Sequence, residues 1–211
     1  MSSQINQTSS QQNVKVTVAD PTALGLFGLA IVTLVASTQK MGITTGTSLI
    51  IPWAICLGGL VQIVAGAYDF KHDNLFGATV FSAYGFFWVA VAATWMIAMG
   101  ALGPEMAAAA DIRQLGYAFW GYLIFSVAAT VAASAVHLTL FIDMCFICLL
   151  FLGLGLDTLK LGGDWAHSLA AYSELIISLI SFYACCATFL NKFFGKVVLP
   201  LGKPVPLVKK G

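Results

Sequence analysis

Apolar residues run along this chain in long unbroken blocks. A membrane helix needs about 20 mostly apolar residues, within a range of roughly 17–25. Six stretches reach that length: 22–38, 48–68, 77–100, 114–136, 138–156 and 167–190. Polar clusters separate them, such as Gln39-Lys40 after the first and "DFKHDN" after the second. The fourth and fifth nearly touch at His137, so a tight turn must join them. Strands of a membrane barrel would alternate apolar and polar residues, and no stretch does. The pattern predicts an all-α integral membrane protein with six transmembrane helices.

Composition supports this. Only 9% of the 211 residues are charged and 59% are hydrophobic, whereas a soluble domain carries about 25% charge. The net charge of +1 argues against a nucleic-acid partner. Residues 1–19 are polar, rich in Ser and Gln, and lack the apolar core of a signal peptide. They read as a disordered tail. Residues 20–195 form the six-helix domain, and 196–211 a basic tail. Asn6-Gln7-Thr8 fits a glycosylation pattern, which matters only outside the cell.

Lysine and arginine collect in cytoplasmic loops. Both termini and the loops after the second and fourth spans share one side, with Lys15, Lys71, Lys192, Lys196, Lys203, Lys209 and Lys210. Lys40, Arg113 and Lys160 lie on the other. The asymmetry places both ends in the cytoplasm. Trp53, Trp120 and Trp165 lie near span ends and suit interfacial belts, while Trp88 and Trp95 face neighbouring helices.

Chemistry narrows the field. Cys145 and Cys148 have CxxC spacing, but they offer two ligands where a structural zinc takes about four. Cysteine also packs as a small apolar residue. No metal or cofactor is expected. No nucleophile, base and orienting group assemble into a catalytic pattern, so an enzyme is not expected either. An ionisable residue inside a span is costly and points to function. Asp143 in the fifth span and Glu174 in the sixth qualify, as candidates for proton coupling or for interhelical hydrogen bonds. Asp69 closes the second span. Gln62, Ser82, Tyr84 and Ser173 are milder polar groups at depth.

The first span opens with "DPTALGLFGL". Asp20 is a good N-cap, and Pro21 costs little in a first turn. Gly25 and Gly28 share a face that can bring backbone close to a neighbour or a solute. Helix starts attract anions. The first helix therefore reads as pore-lining, with an entrance suited to a small anion.

This stretch resembles the signature of the acetate uptake transporter family, also called the succinate–acetate permease family. The signature positions are Asp20, Pro21, Leu24, Gly25, Leu26 and Gly28. The block "GGLVQIVAGAYDFKHDNLFGATVFSAYGFFW" is similar to the family's second and third helices through Gln62, Ala65, Gly66, Asp69, Asn74, Phe76, Gly77, Ser82, Tyr84, Gly85, Phe87 and Trp88. "FYACCATFLNKFFGKVVLPLG" resembles the last helix and tail of bacterial members. Asp20 replaces the usual Asn, and Ala23 the second Pro. Leu29 stands where an aromatic residue is common, and Glu174 where a small residue is usual.

The resemblance implies a six-helix protomer with a central pore, assembled as a homo-hexamer in the cell membrane. It implies a channel or proton-coupled transporter for acetate and similar small monocarboxylates, in some members succinate. The constriction would come from Leu29, Tyr84 and a residue near Cys145 or Ile147. Gln62, Ser82 and Tyr84 would supply hydrogen-bond donors. An ionised Asp20 would repel an anion at the entrance. The competing readings are a channel for neutral solutes such as urea, water or ammonia, and a membrane scaffold or sensor that transports nothing.

Overall fold

The computed structural model describes residues 18–208. Asn6-Gln7-Thr8, Lys15, Lys209 and Lys210 lie outside them. Among the described residues, six helices are long and apolar enough to cross a membrane: α1 (Thr22–Lys40), α2 (Ile51–Lys71), α3 (Leu75–Ala98), α5 (Arg113–Ala133), α6 (Leu138–Thr158) and α7 (Asp164–Phe194). A short helix, α4 (Pro104–Ala108), lies between α3 and α5. The chain is a multi-pass membrane protein.

Helix ends follow local chemistry. Asp20 Oδ1 accepts the Thr22 N–H at 2.9 Å. Pro21, expected inside the first turn, instead occupies the N-cap position, and Asp20 caps from one residue further out. His137 caps α6: its Nδ1 accepts the Leu140 N–H at 3.1 Å, which makes the tight turn after α5 possible. The last helix overruns its predicted limits at both ends. His167 and Asn191 marked those limits, but polarity does not stop a helix. Gly195, in the left-handed conformation at φ 63°, does.

Inside lipid, polar side chains must find partners within the protein. Thr33 Oγ1 donates to Leu29 O at 2.7 Å and Ser37 Oγ to Leu34 O at 2.8 Å. These bonds satisfy the hydroxyls without a partner helix. Ser178 Oγ reaches across from α7 to Ala30 O at 2.8 Å, tying α7 to α1.

The six long helices close a ring in chain order, with α7 packed against both α6 and α1. Small residues make the close contacts. A Cβ on Gly28 would collide with the Leu57 carbonyl of α2. One on Gly25 would lie 2.6 Å from the Phe81 ring of α3. The loosest seam is α3 against α5, where aromatic side chains bridge the gap. There Tyr122 OH donates to Ala83 O at 3.0 Å, and Phe87 meets Tyr122 at a centroid distance of 4.8 Å.

The expected basic tail from residue 196 folds back over the α5–α6 turn as far as it is described. Thr139 N donates to Leu201 O at 3.0 Å and Val205 N to Ser134 O at 2.9 Å. Tyr183 OH donates to Pro200 O at 2.6 Å.

Candidate substrate path along the ring axis

The middle of α2 is a π-helix, Ala54–Val61, ending just before Gln62. A π-helix is wider than an α-helix and often marks a functional site. Gln62 Nε2 donates to the Gly58 carbonyl at 2.9 Å. That bond fixes the amide, because its oxygen could not face another carbonyl. Gln62 Oε1 is buried and has no partner among the described residues.

Gln62 lines a chamber of about 120 Å³, the near chamber, at the end of the ring where α1, α3 and α6 begin. Leu26, Leu29, Asn74, His137 and Asp143 line it too. Asp143 Oδ2 accepts from Ser181 Oγ at 2.9 Å. Its Oδ1 is buried with no partner among the described residues. Gln62 and Asp143, each with one buried unpaired oxygen among the described residues, thus both line the near chamber. His137 Nδ1 is committed to its cap, so the neutral ring keeps Nε2–H as its donor. Burial holds this imidazole below its ordinary pKa, which favours that neutral form.

Toward the middle of the helix ring the chamber ends at a waist. A pocket of only about 20 Å³ remains there, lined by Leu29, Tyr84, Phe87, Ile147, Phe151 and Ile177 among others. Leu29, Tyr84 and Ile147 line both this pocket and the near chamber. Tyr84 OH lies 2.8 Å from Ser126 Oγ. Ser126 spends its own proton on Tyr122 O at 2.6 Å, so Tyr84 is the donor in that pair. The expectation that Tyr84 offers its hydroxyl proton to a substrate is therefore corrected: Ser126 already takes it.

Beyond the waist lies a far chamber of about 150 Å³. It shares Phe87, Trp88 and Leu150 with the waist and reaches Lys40 and Glu174. Lys40 Nζ and Glu174 Oε2 are 2.9 Å apart. At this end His167 bridges Lys40 O at 2.8 Å and Asp157 Oδ2 at 3.0 Å.

The structure gathers Leu29, Gln62, Tyr84, Ile147 and Asp143 on one axis, with Glu174 across the waist. Other predicted residues fall elsewhere. Ser82 packs its hydroxyl against Gly66 at the α2–α3 contact, outside the chamber linings. Cys145 also lies outside the linings, while Cys148 Sγ sits 3.3 Å from Thr130 Oγ1. Gly25 and Gly28 approach protein rather than a solute, because Phe81 and the π-helix of α2 occupy that face. Leu24 points outward, 46% exposed. Leu26, two residues on, lines the near chamber.

Asp20 pairs with Lys192 Nζ at 2.5 Å. Burial pushes its carboxyl up, but the Lys192 and Thr22 bonds outweigh that and hold it below its ordinary value. Its charge is therefore matched, and the expected repulsion at the entrance is cancelled locally. Asp69, Asn74 and Gly77 form a helix-start device. Asn74 Nδ2 donates to Asp69 Oδ1 at 3.0 Å, and Asn74 Oδ1 accepts the Gly77 N–H at 3.3 Å. A Cβ on Gly77 would strike Asp69. Sequence reasoning missed Lys40, His137 and Ser181. The partner position of Ser181, one helix away from Asp143, left no local signal.

The profile of the GPR1/FUN34/yaaH family matches residues 3–203. The chain is 29% identical over 187 residues to the succinate-acetate/proton symporter SatP of Escherichia coli strain K12, covering 88% of this chain and 96% of that protein. It is 32% identical over 151 residues to acetate permease A of Emericella nidulans, covering 67% of this chain and 50% of that protein. The solved structure of the bacterial acetate channel SatP superposes with a TM-score of 0.81 at 27% identity, covering 88% of this chain and 100% of that one.

Proposed function

Because the chain belongs to the GPR1/FUN34/yaaH family, we propose that it carries acetate and similar small monocarboxylates across the membrane along the axis of its helix ring. The observation that carries this is the axial row of two small chambers separated by an apolar waist. The match to a succinate-acetate/proton symporter and to an acetate channel supports the substrate class. It favours this reading over a neutral-solute channel, a scaffold or an enzyme. The path is lined by Leu29, Gln62, Tyr84 and Ile147.

The two unpaired oxygens of Gln62 and Asp143 ask for a hydrogen-bond donor. A bare carboxylate has none. A carboxylate beside an ionised Asp143 would also place two like charges in a poorly hydrated space, where one must take a proton. The near chamber therefore takes an acid together with a proton, held either by the acid or by Asp143 Oδ1. Of the two deep carboxylates Asp143 fits this role, since Glu174 already faces a cation.

Both ends lie in the cytoplasm in this reading. Lys71, Lys192, Lys196 and Lys203 on that side support it. The protein functions as a homo-hexamer in the plasma membrane, as the family resemblance implies.

Reconstitution in liposomes with labelled acetate and an internal pH dye tests the reading. Uptake should exceed that of empty vesicles and acidify the lumen. Asp143→Asn should keep the fold, lose the acidification where Asp143 Oδ1 holds the proton, and retain it where the acid does. Uptake no faster than in empty vesicles overturns the transport reading.

A further inference from the structure

The waist is walled by side chains of α1, α3, α6 and α7. Among the described residues, α5 sends no side chain into the waist or the near chamber. It stands behind the wall instead. The Tyr122 ring of α5 meets Phe87 of α3 at a centroid distance of 4.8 Å and stacks on Phe151 of α6 at 5.4 Å. Both of those rings line the waist.

The seams of the ring differ in what sets their width. Between α6 and α7 the backbones nearly touch, since a Cβ on Gly153 would lie 2.7 Å from Ala170 N. Such a seam cannot narrow, and it buries well as it stands. Between α3 and α5, the loosest seam, side chains fill the gap. Two hydrogen bonds cross it in opposite directions. Tyr84 OH of α3 donates to Ser126 Oγ of α5 at 2.8 Å. Tyr122 OH of α5 donates to Ala83 O of α3 at 3.0 Å. Ser126 Oγ is itself anchored on Tyr122 O at 2.6 Å, so the backbone of α5 fixes the acceptor that holds Tyr84. Moving α3 away from α5 breaks both bonds and carries Tyr84 and Phe87 away from Ile147 and Phe151 across the waist.

We propose, resting on the transport reading, that Tyr122 and Ser126 are positioning residues that clamp the α3–α5 seam and so set the bore of the waist. They touch no substrate. They hold Tyr84 and Phe87 at the separation that lets a short acid through and stops a longer one. The clamped form passes acetate. A longer apolar chain crosses only when the seam gives.

Proteoliposomes carrying the full chain test this with initial uptake of labelled acetate and butyrate, each net of empty vesicles, at about pH 7, where both acids are ionised. The two acids carry the same carboxyl group, so the proton requirement cancels in their uptake ratio. Tyr122→Phe keeps the ring and its stacking and removes the bond to Ala83 O. Ser126→Ala removes the acceptor of Tyr84, which leaves an unpaired hydroxyl in the clamped form. One intramolecular hydrogen bond shifts an equilibrium by about fivefold. Each variant should therefore raise the butyrate-to-acetate ratio by about fivefold, and the two combined by more than either alone. Bonds that only stabilise the fold would lower the thermal midpoint in detergent and leave the ratio where it is. An unchanged or lower ratio in either folded variant overturns the clamp. Tyr122→Phe decides alone if Ser126→Ala does not fold. Wild-type protein that moves no acetate overturns the transport reading instead.

Discussion

Leu29→Ala opens the waist from the side of the near chamber. Leu29 is 8% exposed and lines both the near chamber and the waist pocket. The waist pocket, at about 20 Å³, has space for about one water, since a water needs about 10–15 Å³ of such volume. A carboxylate crossing there sheds almost all its hydration. Removing the isopropyl head of Leu29 joins the two spaces and lets additional water follow the solute. One retained hydrogen bond to a charged group contributes about 1.5–3 kcal/mol. A barrier drop of about 1.4 kcal/mol is tenfold in rate. Acetate uptake into proteoliposomes should therefore rise at least about tenfold, and larger acids such as butyrate should gain more than acetate does. Stability should fall by about 2–5 kcal/mol, the usual range for Leu→Ala in a core. It should lie toward the low end because the new space adjoins an existing cavity. The thermal midpoint in detergent measures that cost separately. Unchanged or slower uptake by folded Leu29→Ala would show that the waist does not limit passage, and the axial path would fall with it.

Tyr84→Phe should cost about 1 kcal/mol of stability, one neutral hydrogen bond, and leave acetate uptake within about twofold, because the hydroxyl proton serves Ser126; a larger loss of flux would return that proton to the substrate. Gly28→Val should destabilise by about 1–3 kcal/mol through overpacking against Leu57 O, seen as a lower thermal midpoint, whereas a midpoint equal to wild type would refute the close approach of α1 and α2. His137 has a folded pKa below its ordinary value, so its neutral form is preferred in the fold. Its contribution is fully present above about pH 6.5 and declines as pH falls from there toward the folded value. His137→Asn, which can still cap α6, should flatten that decline; an unaltered pH profile would refute the link.

The membrane fold was legible because lipid leaves the backbone few options. Long apolar blocks must be helices, and their lengths follow from bilayer thickness. Boundaries at α1 and α6 came close for this reason. Those of α7 did not, because glycine geometry rather than polarity stops that helix. The short α4 and the π-helix in α2 left no apolar periodicity to read. Gln62 and Asp143 stood out as polar groups in apolar runs. Ser82 stood out equally, yet it faces Gly66. Depth is visible along a helix, but the face a residue presents depends on which neighbour packs where.

Sequence alone determined that the chain spans a membrane six times and that Asp143 and Glu174 would be buried, since both sit in apolar helices with no polar surface to reach. Which charges met which partners was decided only in three dimensions. Lys40 and Glu174 are 134 positions apart, and Ser181 lies 38 from Asp143. Such pairings depend on the closure of the ring, through α7 returning to α1. Closure also set the two chambers and the waist, because a void on an axis belongs to all the helices around it and to no single segment of the chain.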